Sequence, residues 1–282
     1  MKYKLIVSDL DDTILRSDYK YSERFVSAVK EYEAAGGKFI IATGRMTNIV
    51  RNICLKIGLE GALITYQGGM ISDIASGKLL KFSSIPVAYA AEIGAYLDER
   101  EVFYQLYSTT TVRKEDGYEH IEAIIANGPS EYSEHYTKFS LAPFIDAGEP
   151  LSRYMIRKNI DPVKLMIMAD PKLVQGYIEE LNAKFSGELL INTSKDWLVE
   201  IISNKTSKGV AVDWVAKQMG MQKDEVICIG DSLNDVPMIK YAGLGVAVAN
   251  GSQAAKAAAD IIAPSNDEDG VAYIINKYGL NR

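Results

Sequence analysis

An α/β fold on a doubly wound parallel sheet, interrupted by an inserted α+β domain, is the architecture this sequence predicts. Three observations lead to it. Short β-branched, apolar runs alternate with amphipathic stretches in the first part of the chain, the pattern of parallel strands joined by crossover helices. The same alternation returns from Val226 onward. Between the two, over residues 83–202, segments become longer, more polar and richer in tyrosine. A Rossmann-like core is therefore expected to be discontinuous in sequence, residues 1–82 and 203–282, around an inserted domain at 83–202.

The elements follow in order. Lys4 to Ser8 reads as a buried first strand. Ser22 is placed to cap a helix whose Phe25, Val29 and Tyr32 share one face, and Gly36-Gly37 stops it. Lys38 to Ala42 is a second strand ending at Thr43-Gly44-Arg45, and Ala62 to Thr65 reads as a third. Gln67-Gly68-Gly69 predicts a hairpin turn between Ile64 and Ile71, and Ala75-Ser76-Gly77 another leading into the insert. Inside the insert, Phe103 to Ser108, Val163 to Met168 and Leu198 to Ile202 are strand candidates, while residues 130–150 show no clean period. Val226 to Ile229 delivers Gly230-Asp231, Leu244 to Val248 is a further strand, and Gly270 to Tyr278 reads as a closing helix.

Bulk properties narrow the function. A chain of 282 residues has room for one full core and a second domain, since single cores stop growing at about 250–300 residues. Its 48% hydrophobic and 24% charged residues fit a globular protein rather than a disordered one. The net charge of -6 offers no basic footprint, so nucleic acid is not an expected partner, whereas a small phosphorylated metabolite needs only local positive charge. Two cysteines, one of them (Cys228) inside an apolar run, fit buried thiols in a reducing cytoplasm. Neither a secretory apolar segment near Met1 nor a membrane span of roughly 18 apolar residues is expected. No feature of the sequence speaks to oligomeric state.

Every candidate for chemistry falls at the carboxyl end of a strand or at a helix start, the rim on which open parallel sheets bind ligands. Asp9 and Asp11 lie two residues apart just past the first strand, where a tight turn would aim both at one phosphorus. Asp9 is assigned as the nucleophile that forms an aspartyl-phosphate. Asp11 is assigned as the acid that protonates the leaving oxygen and later activates water. Such an aspartate pair alone is equally a turn motif. Thr43 and Gly44 offer a hydroxyl and an approachable N–H to phosphate oxygens, although Thr43 also suits a plain helix cap. Arg45 either touches substrate or pairs with an acid. Lys205 and Lys208 are equally cationic neighbours at a helix start, and residue type does not choose between them. Asp231 and Asp235 follow another strand end one helical turn apart, and oxygen ligands of this kind suit Mg²⁺.

Taken together, the order of strand then Asp-x-Asp, strand then Thr43, Lys208, strand then Gly230-Asp231-Ser232-Leu233-Asn234-Asp235 resembles the haloacid dehalogenase superfamily of phosphatases, and within it the Cof-type subfamily with a type IIB cap. The tail Asn266-Asp267-Glu268-Asp269-Gly270-Val271-Ala272 extends the likeness. The resemblance implies that Asp9, the Asp11 backbone carbonyl and Asp231 bind Mg²⁺, with Asp235 supporting the metal through water or a neighbour. It implies that the Leu10 backbone, Thr43, Gly44, Lys208 and Asn234 hold phosphate, so Lys208 is preferred to Lys205. The insert would be the cap that closes over the rim, with Tyr104, Tyr107, Arg113, His120 and Arg153 as its polar or aromatic candidates. Three departures stand out: Asp12 where glycine is frequent, Gln67 where an Asn-Gly turn is common, and Asn250 slightly early. The expected activity is a Mg²⁺-dependent phosphatase acting on sugar phosphates or phosphorylated cofactors. The alternatives are a phosphomutase or phosphotransferase with the same intermediate, and a sensor that keeps the core without turnover.

Overall fold

The computed structural model describes residues 1–114, 117–127, 143–185 and 187–282, with the side chains of 110–121 and 194 left undescribed. These residues form two compact units, Met1–Leu80 with Ser207–Arg282, and Lys81–Thr206. The undeciphered stretch 130–150 lies outside the described residues up to 142.

The first unit holds β1 (Leu5–Ser8), α1 (Glu23–Ala34), β2 (Lys38–Ile41), α2 (Thr47–Ile57), β3 (Ala62–Thr65), β4 (Met70–Asp73) and the start of β5 (Leu79–Phe82). The second holds α3 (Val87–Asp98), β6 (Tyr104–Lys114), β7 (Gly117–Ala126), β8 (Phe144–Asp146), α4 (Leu151–Lys158), β9 (Lys164–Met168), α5 (Pro171–Phe185), β10 (Leu189–Lys195) and β11 (Leu198–Ser203). The chain then returns to the first unit with α6 (Lys208–Gln218), β12 (Val226–Gly230), α7 (Val236–Tyr241), β13 (Leu244–Val248), α8 (Gln253–Ala258), β14 (Ile261–Ala263) and α9 (Gly270–Ile274), closing on a π turn at Ile275–Gly279.

The core sheet runs β14-β13-β12-β1-β2, and all four pairings are parallel. Its strands are apolar on both faces because helices cover both. Ile6, Phe39, Ile41, Ile227 and Ile229 pack with Phe25, Val29 and Tyr32 of α1 and with Val271 and Ile274 of α9. Leu5, Val7, Ile40 and Cys228 pack against Ala211, Val212 and Val215 of α6 and Met238 of α7. Ser22 caps α1 by accepting from the Phe25 N–H at 3.0 Å, and Gly36, at φ +93°, turns the chain out of it. After β1 the chain first adds β2 on one side; β12, β13 and β14 later extend the other. That reversal makes the carboxyl ends of β1 and β12 the crevice of the sheet.

One strand departs from the expected run. β3 joins β2 only through a single bridge, Ala42 to Ile64, and instead opens a separate sheet, β3-β4-β5. The hairpin pairs Thr65 with Met70 and Ile64 with Ile71, as the turn signal predicts. Tyr66, Gln67 and Gly68 all have positive φ there, 50°, 57° and 100°, so Gln67 adopts the left-handed conformation that Asn-Gly turns supply more often. In the second unit a six-stranded sheet, β10-β11-β9-β6-β7-β8, buries Leu106, Ile125, Leu165 and Val199 against Ile93, Leu97, Met155 and Leu181 of its helices.

Gly68 brings the hairpin close to the start of α6. A Cβ there would stand 2.3 Å from the Ser207 carbonyl oxygen, and φ is +100°. Gly68→Ala is therefore expected to cost ~2–4 kcal/mol, read as a lower urea midpoint with an unchanged slope. An unaltered midpoint would mean that α6 has room to withdraw.

Candidate active site

Backbone topology brings three acidic residues and one lysine together at that crevice. Asp9 follows β1 directly, and its N–H donates to the Ile229 carbonyl of the neighbouring strand at 2.9 Å. Asp231 follows β12. Lys208 is the first residue of α6, behind the N-cap Ser207, and its ammonium donates to Asp9 Oδ1 at 2.5 Å and to Asp235 Oδ1 at 2.6 Å. Asp9, Lys208 and Asp235 are 5%, 1% and 0% exposed, so this is a buried ionic triad, whereas Lys205 is exposed. Burial separates the two lysines where residue type did not.

Asp235 is saturated. Besides Lys208 on Oδ1, its Oδ2 accepts from the N–H groups of Asp231 and Ser232 at 3.0 Å each. It closes the short 3₁₀ turn Leu233–Asp235 rather than lining a regular helix start. Asp231 Oδ1 accepts from Thr13 Oγ1 at 3.3 Å, a contact the sequence reading missed although Thr13 lies in the same acidic segment. Asn234 is half-buried, with its Oδ1 accepting from Ser232 Oγ at 2.7 Å.

Asp11 points into a different environment. Arg45 Nε donates to its Oδ2 at 2.8 Å and Arg45 Nη2 donates to its Oδ1, a two-point grip across the gap between the β1 and β2 loops. Of the two expectations for Arg45, pairing with an acid is the one observed. Thr43 is not a helix cap: Met46 occupies that position of α2, and the buried Thr43 hydroxyl accepts from the Arg45 N–H at 3.1 Å. The Gly44 backbone beside it is partly exposed. Leu10 is fully buried, and its carbonyl accepts from Ile14 and Leu15 to close the turn. Asp12, with φ +54°, takes the left-handed conformation in which glycine is frequent, which accounts for that departure. Asn250 is engaged here as well, donating to the Asp12 carbonyl at 2.7 Å and accepting from the Asn266 N–H at 3.0 Å.

The electrostatics call for a further cation. Burial pushes Asp9 well above the carboxylate range, with Asp235 and Asp231 adding to it and Lys208 opposing. Asp231 is raised to about 7 by burial and then by Asp235. For Lys208, burial works against the charge, but Asp235 and Asp9 outweigh it and hold the ammonium protonated. Three carboxylates thus face one lysine, and one oxygen from each of Asp9, Asp231 and Asp235 lies within 4.8 Å of the others. Asp9 Oδ2 and Asp231 Oδ2 accept no hydrogen bond among the described residues. An all-oxygen donor set with surplus negative charge fits a hard divalent ion such as Mg²⁺.

Residues 6–275 match the family model described as haloacid dehalogenase-like hydrolase. The chain belongs to the haloacid dehalogenase-like hydrolase family. It is 28% identical over 291 residues to phosphatase YwpJ of Bacillus subtilis (strain 168), covering 96% of this chain and 98% of that one. Against the 5-amino-6-(5-phospho-D-ribitylamino)uracil phosphatase YcsE of the same organism it is 29% identical over 281 residues, covering 98% and 96%. The fold matches the X-ray crystal structure of TM0651 from Thermotoga maritima with a TM-score of 0.82 at 24% identity, covering 98% and 97%. Within its family the chain is a phosphatase.

The tyrosines, arginines and histidine named in the insert of this hydrolase lie in the second unit. Tyr104 and Tyr107 are buried, and the Tyr104 hydroxyl reaches α3, where it donates to Asp98 Oδ1 at 3.0 Å. Arg153 is exposed on α4. Arg113 and His120 sit on β6 and β7, with side chains outside the described residues. Both cysteines are free and buried, and burial pushes the Cys54 thiol up to about 12 and Cys228 higher still. Among the described residues no helix is long and apolar enough to cross a membrane.

The raised Asp231 carboxyl makes a signed prediction. Its folded-state pKa lies above its unfolded value, so its contribution to stability is fully present below about pH 4 and is lost as pH rises to about 7. In metal-free protein, Asp231→Asn should raise the melting temperature at pH 8 by on the order of 5 °C, and by less at pH 5. Thermal melts in chelator test this; equal shifts at both pH values would assign the gain to something other than this charge.

Proposed function

We propose that the protein is a Mg²⁺-dependent phosphatase that hydrolyses small phosphorylated metabolites, sugar phosphates or phosphorylated cofactors, through an aspartyl-phosphate on Asp9. The observation that carries this is the Asp9 carboxylate itself: buried, held through Oδ1 by Lys208, with Oδ2 left open beside Asp231. Nucleophilic carboxylates act from such a desolvated, oriented state.

In the first half of the reaction, Asp9 Oδ2 forms a bond to phosphorus as the bond to the leaving oxygen breaks. A proton passes from the Asp11 carboxyl to that oxygen. In the second half, water attacks the phosphorus and gives a proton to Asp11, the Asp9–phosphorus bond breaks, and inorganic phosphate leaves. Lys208 sets the charge against which phosphoryl oxygens are bound, together with the Thr43 hydroxyl, the Leu10 and Gly44 N–H groups and the Asn234 side chain. Asp9, Asp231 and the Asp11 carbonyl would hold Mg²⁺, which supplies charge neutralisation for the phosphoryl oxygens; Asp235, with both oxygens engaged, supports the set through Lys208 and the Asp231 N–H. Residues 81–206 would serve as the type IIB cap and select the substrate. The name of YcsE, a phosphatase of a phosphorylated ribitylamino compound, supports the substrate class proposed here.

Four outcomes test the reading. Asp9→Asn should lower hydrolysis of an aryl phosphate by at least about a thousandfold while the fold persists by circular dichroism. Lys208→Ala should cost ~3 kcal/mol in kcat/KM, roughly a hundredfold. Phosphate release should match substrate loss mole for mole across a panel of phosphorylated metabolites; isomerised substrate without release would favour a mutase. Mg²⁺ should raise the melting temperature more at pH 8 than at pH 5.5, since the ion displaces protons from Asp9 and Asp231.

A further inference from the structure

We infer that Arg45 is a positioning residue for the second half of the reaction, holding Asp11 as an oriented carboxylate ready to take the proton of the attacking water. The inference rests on the aspartyl-phosphate reading above. Three features of the pair carry it.

The first is its geometry. Arg45 reaches Asp11 with Nε on one oxygen and Nη2 on the other, and a carboxyl that carries a proton on either oxygen cannot accept both bonds undiminished. A grip on both oxygens fixes the plane of the carboxyl group, which is what a base acting after the leaving group has departed requires. The second is exposure. The side chains of Asp11 and Arg45 are 41% and 32% exposed, whereas that of Asp9 is 7% exposed. Of the two aspartates, Asp11 is the one that bulk water reaches. The third is anchoring at the Arg45 end. Its N–H donates to Thr43 Oγ1 at 3.1 Å and its carbonyl accepts from the Tyr66 N–H at 3.2 Å, so the guanidinium extends from a backbone fixed on both sides. Asp11 has no other side-chain partner among the described residues, so Arg45 alone of them fixes its carboxyl plane. A general base works only within a narrow range of distance and angle to the water it deprotonates.

The two half-reactions are separable with p-nitrophenyl phosphate in the presence of Mg²⁺. Its leaving group departs without needing a proton, so kcat/KM, which ends at phosphoenzyme formation, is insensitive to Asp11. The turnover number includes hydrolysis and is sensitive to it. For Arg45→Ala, kcat should fall about 30-fold with KM falling in proportion, leaving kcat/KM within about threefold of the unmodified enzyme. A pre-steady-state burst approaching one p-nitrophenol per active site should appear, with phosphate trapped on the protein after acid quench. Arg45→Lys keeps the charge but cannot grip both oxygens, so it should stay within about threefold of Arg45→Ala in kcat.

Parallel loss of kcat and kcat/KM without a burst, or full restoration by Arg45→Lys, would overturn the positioning role. So would unchanged kinetics. If the unmodified protein releases no phosphate from any substrate, this inference falls together with the proposed function. If it turns over normally and the Arg45 variants show no burst, the inference alone falls.

Discussion

An ammonium group that is 1% exposed constrains everything around it. Removing a lysine from water costs several kcal/mol unless opposite charge is supplied at close range, and two carboxylates supply it here. Asp9 arrives at the end of β1, Asp235 in the turn after β12, and Lys208 at the first position of α6, so the triad joins three elements far apart in sequence. The backbone yields to it. A Cβ on Gly230 would stand 2.4 Å from Asp235 Cβ, so the strand must end in glycine for the carboxylate to fold back against its own turn. The choice of glycine there and the position of the lysine are consequences of one electrostatic requirement.

The triad also explains how two aspartates two residues apart can serve different ends. Asp9 is enclosed, faces a lysine and belongs to a crowd of carboxylates; Asp11 is partly in water and faces an arginine. In the proposed reaction, environment rather than residue type would divide their work, as it does wherever paired carboxyl groups take separate acid, base and nucleophile roles. Carboxylates outnumber lysine within the enclosed group, and that surplus is what a divalent ion would relieve.

Much of this was legible in the sequence because buried parallel strands write themselves as unbroken apolar runs with chemistry at their ends. β1, β2, β12 and β13 fall within a residue of their expected bounds for that reason. What escaped is what depends on distance or exposure. Lys205 and Lys208 differ in burial, which no spacing encodes. Thr43 fits a cap by type, yet the chain continues three residues before α2 begins. β14 is three residues long, and β10, Leu-Leu-Ile-Asn-Thr-Ser-Lys, mixes apolar and polar positions and carries a register shift between Asn192 and Lys195, so neither announced itself. The departures at Asp12 and Gln67 become intelligible once φ is known. Both are left-handed positions, where glycine or asparagine is usual and where Asp and Gln are here held by their surroundings.

That last point bears on how the acidic loop stays in place. Residues 9–12 put three carboxyl groups on four residues, a segment that repels itself and gains little from apolar burial beyond Leu10. Besides Lys208 and Arg45, part of its restraint comes from the far end of the chain. Asn250 holds the Asp12 carbonyl, Asn266 donates to the Leu15 carbonyl at 2.9 Å, Arg16 pairs through one amino nitrogen with both oxygens of Asp269 at 2.8 Å, and the Ser17 N–H donates to Asp267 at 2.9 Å. Asp231 is braced in the same way, its carbonyl accepting from the Ser252 N–H at 2.6 Å. The segment 250–269 therefore braces the first loop and the turn after β12. Hydrogen bonds from the end of the chain thus join contacts from nearer in sequence in setting the geometry of the first loop.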